Sequence, residues 1–117
     1  MIVSDVLIDV RRELRDTDPN NYRWPDETLR RYLGDAERMI KRWRPDLFLQ
    51  TNNSMSTTAE YDANDDTLVL SDDERMGLTA LVCSRSLGED ADDTVNANRS
   101  NDYFVKAHNN LVGGGGA

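Results

Sequence analysis

The chain is predicted to be mainly α-helical, a bundle of about four helices with a β-hairpin or extended arm between the second and third. Three observations carry that prediction. Apolar residues recur at spacings of three and four in two long stretches, Leu29 to Trp43 and Met76 to Leu87. Helix-starting and helix-stopping residues bracket those stretches. Between them, Leu47 to Leu70 loses the helical period and gains β-prone residues around a turn-rich centre.

The first helix is expected over roughly residues 5–16. Val6, Leu7, Val10 and Leu14 fall on one face after Ser4, an N-cap residue type, with Asp5 in the first turn. Thr17-Asp18-Pro19-Asn20-Asn21 ends it, since Pro19 disfavours a helical Asp18 and every residue of the run favours turns. Pro25 suits the first position of a second helix, with Asp26 and Glu27 at the positive end of its dipole. Leu29, Tyr32, Leu33, Ala36, Met39, Ile40 and Trp43 form its apolar stripe, and Pro45 stops it. Arg30, Arg31, Glu37, Arg38, Lys41 and Arg42 make the opposite, charged face.

Thr57 to Tyr61 and Thr67 to Leu70 read as short strands flanking Asp62-Ala63-Asn64-Asp65-Asp66, which defines the arm over about residues 47–70. Ser71-Asp72-Asp73-Glu74 has the pattern of a capping box opening the third and most apolar helix, with Met76, Leu78, Leu81, Val82, Cys83 and Leu87 at the centre of the bundle. Gly88 is placed to cap its end. A fourth helix is expected from about Asp90 to Leu111 with a weak stripe of Ala91, Val95, Ala97, Phe104, Val105 and Leu111. So polar a helix faces water or finds its contacts on another chain. The expected organisation is one domain over 1–112 and a Gly-rich tail over 113–117.

Composition narrows the function. A chain of 117 residues is of single-domain length and has a modest core. A formal net charge of -8 argues against gripping duplex DNA by neutralising phosphates, and suits a wall past which DNA slides. Lysine occurs only as Lys41 and Lys106, and Asp far outnumbers Glu. That balance fits a protein that folds in high salt, where self-repulsion is screened, and equally an acidic protein from a GC-rich genome. The start, Met1-Ile2-Val3-Ser4-Asp5, lacks a basic region and a long apolar run, so neither a signal peptide nor a membrane span is expected.

Chemistry-bearing constellations are sparse. Cys83 is the single cysteine and reads as a buried small hydrophobe. His108, the single histidine, lies among asparagines, and no nucleophile elbow or phosphate loop is present. No cofactor and no catalytic residue is expected. The one metal-like pattern is Asp62-x-Asn64-x-Asp66 with Asp73 at the twelfth position. It is a weak calcium candidate, because Thr67 stands where a glycine is needed and Asp73 where a bidentate Glu is needed. Trp24 and Trp43 bracket the second helix and, with Arg30 and Arg31, divide between core or solvated-face roles and a subunit interface.

Arg23-Trp24-Pro25-Asp26, Leu29 and Leu33 followed by Gly34-Asp35-Ala36, and then Arg44-Pro45-Asp46 resemble the second helix of the head-to-tail adaptor (connector) proteins of tailed viruses. Asp92-Asp93-Thr94-Val95-Asn96-Ala97-Asn98-Arg99 before Tyr103-Phe104 is similar to that family's last helix. Gly34 replaces the asparagine expected before the Asp-Ala pair, and Leu47 to Leu70 matches no motif of the family. The resemblance implies a helical core with a variable β arm, assembled in the host cytoplasm and located in the virion neck. There it would form a twelve-fold homo-oligomeric ring beneath the portal protein, docked to a stopper or tail-completion protein, around genomic DNA that passes without sequence-specific binding. It also implies a carboxyl-terminal segment, Asn109, Asn110, Leu111, Val112, Gly113, Gly114, Gly115, Gly116 and Ala117, that reaches the portal. With the low lysine content, a halophilic host is expected. The alternative is a small helical regulatory or DNA-associated module using Arg30, Arg31, Arg38 and Arg42. An enzyme is a distant third.

Overall fold

The computed structural model describes residues 1–49, 61–89 and 94–113. Four helices form the body: α1 (Val3–Leu14), α2 (Asp26–Trp43), α3 (Arg75–Gly88) and α4 (Thr94–His108). Short 3-10 turns cover Pro45–Phe48 and Asp72–Glu74, and a π turn, Asn109–Gly113, follows α4 directly. The fold is therefore the helical bundle expected.

α3 is the central element. It packs against α1, α2 and α4, and Leu78, Ala80, Leu81, Val82, Cys83 and Leu87 are all buried. A helix apolar on nearly every side is one surrounded by others. Val3, Val6, Leu7 and Val10 of α1 and Leu29, Leu33, Ala36 and Ile40 of α2 complete the core. Tyr32, Met39 and Trp43, the rest of the expected α2 stripe, are partly buried at its margin. Met76, expected in the α3 stripe, is instead 61% exposed at the helix start.

α4 approaches α3 closely through small residues. Ser84 Oγ donates to the Ser100 carbonyl at 2.8 Å, and Ser100 Oγ donates to the Ser84 carbonyl at 2.7 Å. Gly88 belongs to this contact: a Cβ there would lie 3.2 Å from Ser100 Oγ. It is the last residue of α3 and has no positive φ, so it is not the left-handed cap expected of it. The buried face of α4 runs through Ala107 to Leu111, whereas Val95, Phe104 and Val105 of the expected stripe are exposed. The helix begins at Thr94, later than expected. Asp90 to Asp93 lie outside the described residues.

Helix ends depart from local expectation where tertiary partners intervene. α1 starts at Val3 with Ile2 at the cap, not Ser4. The Val3 and Ser4 amides donate to the Asp66 and Asn64 carbonyls at 2.9 and 2.8 Å, and the Ile2 amide donates to Asp5 Oδ2 at 2.9 Å. The orphan donors of the first turn are thus satisfied from across the chain. Pro25 is the cap residue of α2 and Asp26 its first helical residue. Ser71 and Glu74 do not close a capping box. The Ser71 hydroxyl donates to Glu74 Oε2 at 2.6 Å, and α3 begins after a 3-10 turn.

The expected β-hairpin is not formed among the described residues. Ile2 and Thr67 make an isolated antiparallel bridge, and the Leu68 amide donates to the Met1 carbonyl at 3.0 Å. Leu68 and Leu70 still alternate into the core, as a β-prone run should. Among the described residues Thr67 and Leu68 pair with the amino-terminal segment. Thr57 to Glu60, the other expected strand, lie outside the described residues.

Arg15 closes α1 in the left-handed region, with φ 56 and ψ 38. A Cβ in that conformation costs about 1 kcal/mol or more, which glycine avoids. Arg15→Gly is accordingly expected to raise the unfolding free energy by about 1 kcal/mol, measured as a shift of the urea midpoint at unchanged slope.

Candidate functional site

The most concentrated polar chemistry lies where the end of α1, the start of α2 and the 61–70 segment meet. Arg11 is only 6% exposed. Its guanidinium donates to Asp16 Oδ2 at 2.8 Å and to Asp26 Oδ1, and stacks 3.5 Å from the centre of the Tyr22 ring. Asp16, also buried, accepts the Arg23 and Trp24 amides at 2.9 and 3.2 Å. Asp26 Oδ2 accepts from Asn64 Nδ2 at 3.0 Å, and Asn64 Oδ1 accepts from Arg30 at 2.7 Å. The Arg11 hydrogen bond is the main cause holding the Asp26 carboxyl below its ordinary value, against the opposing effect of burial. This arrangement fixes three chain segments together and presents no free nucleophile or base.

A second polar group lies further along α2. Glu37 is fully buried, and its Oε1 accepts the Tyr61 hydroxyl at 2.6 Å. Its Oε2 has no hydrogen-bond partner among the described residues. Burial is the largest influence on the Glu37 carboxyl and raises its pKa, outweighing the Tyr61 hydrogen bond and Arg38. Tyr61 also lines a polar cavity of about 320 Å³ with Arg30, Arg31, Gly34 and Arg38. A separate groove of about 370 Å³ runs between α1, α3 and α4, past Glu13, Arg75, Met76, Thr79 and Tyr103. The Tyr103 hydroxyl bridges it, donating to Glu13 Oε2 at 3.1 Å, and Arg75 closes one side through Asp9 at 2.6 Å.

The residues singled out from sequence are dispersed. Trp24 is buried in the chain's own core with Arg23 over its ring, the core role of the two weighed for it. Trp43 is half-buried and meets the edges of Phe104 and His108 at 5.6 and 5.0 Å between ring centres. Arg30 is committed to Asn64, whereas Arg31 is exposed on the outer face of α2. Cys83 is buried among α1, α3 and α4 residues, and burial pushes its thiol up to about 12, far from a reactive thiolate.

The calcium candidate does not assemble. Asn64 serves Arg30 and Asp26, and Asp66 Oδ2 accepts the Asp62 and Ala63 amides, each at 3.1 Å. Asp73 lies apart in the 3-10 turn before α3. Among the described residues no group of three acidic, histidine or cysteine side chains is placed to hold a metal ion.

The first residues of the expected portal-reaching segment pack on their own chain. Asn109–Gly113 forms the π turn, Leu111 is only 3% exposed, and Arg44 donates to the Leu111 carbonyl at 2.8 Å. A Cβ at Gly77 would lie 2.6 Å from Leu111 Cγ, so the missing side chain of Gly77 is what admits Leu111. Gly114 to Ala117 lie outside the described residues.

No family model, curated protein or solved structure matches this chain. Its site must therefore be read from its own geometry. No described helix is long and apolar enough to cross a membrane.

Arg11 and Glu37 are buried charges that the helix faces do not announce: Glu37, expected on the charged face of α2, lies inside. Both nonetheless carry a usable signal. Arg11 follows Leu7 by four and precedes Leu14 by three, and Glu37 follows Leu33 by four and precedes Ile40 by three. Those spacings put a charge on the flank of the apolar stripe, where a partner has to be supplied.

Proposed function

We propose that the chain is a structural subunit of a head-to-tail adaptor ring in the neck of a tailed virus, bridging the portal to the stopper or tail and extending the DNA channel. The role is geometric rather than catalytic. The observation that carries the reading is the one-sided packing of α4. It meets its own chain mainly through α3 and turns Val105, 47% exposed, outward. Met76 and Ile8, 61% and 54% exposed, add apolar surface on α3 and α1. A small acidic chain with exposed apolar side chains on three helices suits burial against further subunits. Polar groups at its helix junctions are meanwhile committed to internal locks rather than to chemistry.

The formal charge of -8 supports a passive channel wall, and the low lysine content supports a halophilic host. The resemblance of the Arg23 to Asp46 stretch to the adaptor family supplies the place in the particle. The alternative, a DNA-associated helical module, draws less support, because Arg30 is bound to Asn64 and Arg38 to Asp35 at 3.0 Å.

Deleting the gene from its source genome tests the reading. The expected result is DNA-filled heads that fail to join tails. Normally tailed particles without this chain would contradict it. Saturable, sequence-dependent binding of a fluorescent duplex at working salt would favour the regulator instead.

A further inference from the structure

Glu37 is a buried titratable group that the adaptor reading does not use, and its surroundings give it a specific consequence. It sits on α2 with no exposed surface, one oxygen on the Tyr61 hydroxyl and the other without a partner among the described residues. Tyr61, itself 8% exposed, is the first residue of the segment that runs to Leu70. That segment supplies the Asn64 and Asp66 carbonyls that accept the first amides of α1, and its Leu68 amide holds the Met1 carbonyl. Tyr61 thus holds the near end of the segment that caps α1, while Arg30 and Asp26 hold its middle through Asn64.

We propose that Glu37 and Tyr61 form an ionisation-controlled latch: with Glu37 neutral, the 61–70 segment is held on α2 and caps α1, and ionised Glu37 releases it.

The physical basis is the asymmetry between the two states. A neutral carboxyl with one good hydrogen bond tolerates a dry site, whereas a carboxylate needs more compensation than one phenol hydroxyl gives. The charges acting on the site are few. Arg38, on the same helix, favours the ionised form, and Asp66, on the facing segment, acts on Tyr61. Among the described residues no charged group of α1 or α3 acts on Glu37. Lys41, one turn along α2, is directed over the Phe48 ring, 5.9 Å from its centre, and Arg30 is held by Asn64. Among the described residues Arg38 is thus the one charge that favours the ionised form, and none makes an ion pair with Glu37.

Opening this latch exposes the amides of Val3, Ser4 and Leu68 together, because one segment holds all three.

Hydrogen–deuterium exchange of the full chain between pH 5 and 9, corrected for intrinsic rates, tests the latch. Protection of these three amides is expected to be lost along a single titration curve as Glu37 ionises. Glu37→Gln should keep them protected across the range. Tyr61→Phe should move the midpoint to higher pH, because it removes the hydrogen bond that favours the carboxylate; a purely structural role would not move it. A carbon-13 titration of the Glu37 carboxyl should share the exchange midpoint. Protection independent of pH in the wild type, or the same pH profile in Glu37→Gln, would overturn the proposal. Neither outcome bears on ring assembly, which is measured separately.

Discussion

Arg11→Met is expected to lower the unfolding free energy by about 3–5 kcal/mol, the range for removing one partner of a buried ion pair. The loss arises from what remains. Asp16 is buried and would face the interior with two backbone amides in place of a guanidinium, and Asp26 would keep only Asn64. Met keeps an apolar stem of similar length and removes the whole guanidinium, its stacking on Tyr22 included. Arg75→Met offers the contrast, since Arg75 and Asp9 are both partly solvated, and a much smaller loss is expected there. Urea unfolding of the two variants checks the pair. Equal losses would show that the Arg11 cluster has no special role.

The same cluster sets the acid limb of stability. Asp26 has a folded pKa below its ordinary 3.8, so its contribution is present above that value and lost as pH falls through the folded one. Arg11→Met removes it, and the gap between variant and wild type should narrow in acid. Glu37 has the opposite sign. Its folded pKa lies above 4.5, so stability declines as pH rises from that value through the folded one.

Leu111→Ala is expected to cost about 2–4 kcal/mol, as for other fully buried leucines truncated in a site that cannot collapse. Leu111 fills the space that Gly77 leaves on α3, and the Arg44 guanidinium, itself gripping Asp46 at 2.8 Å, holds its carbonyl. The truncation should release the π turn and make residues after His108 a preferred site of limited proteolysis. Gly77→Ala should produce the same cleavage by expelling Leu111, although alanine favours the helix. Proteolytic resistance unchanged in both variants would show that Leu111 does not anchor the chain end.

Much of the body was legible because its signals are local. α2 could be bounded by Pro25 and Pro45, and its stripe from Leu29 to Ile40 forms its core face. α3 reads as central because nearly every position is apolar or small. Expectations went astray where a distant segment supplied the partner. Ser4 lost its cap role to the Asn64 and Asp66 carbonyls, and Leu68 paired with Met1 rather than with a hairpin strand. Gly88 looked like a conformational device and is a contact with Ser100. The candidate site was the least legible part. Glu37 reads as part of the charged face of α2 and Arg11 carries no motif, and the identity of Asp16, Asp26 and Tyr61 as their partners depends on how three segments meet.

The mass of the purified chain in molar salt, alone and after mixing with the portal protein of its own genome, tests the adaptor account most directly. The account predicts a portal-dependent, rotationally symmetric complex of about twelve copies. A stable monomer that ignores the portal would contradict it and leave the helical regulator as the leading reading.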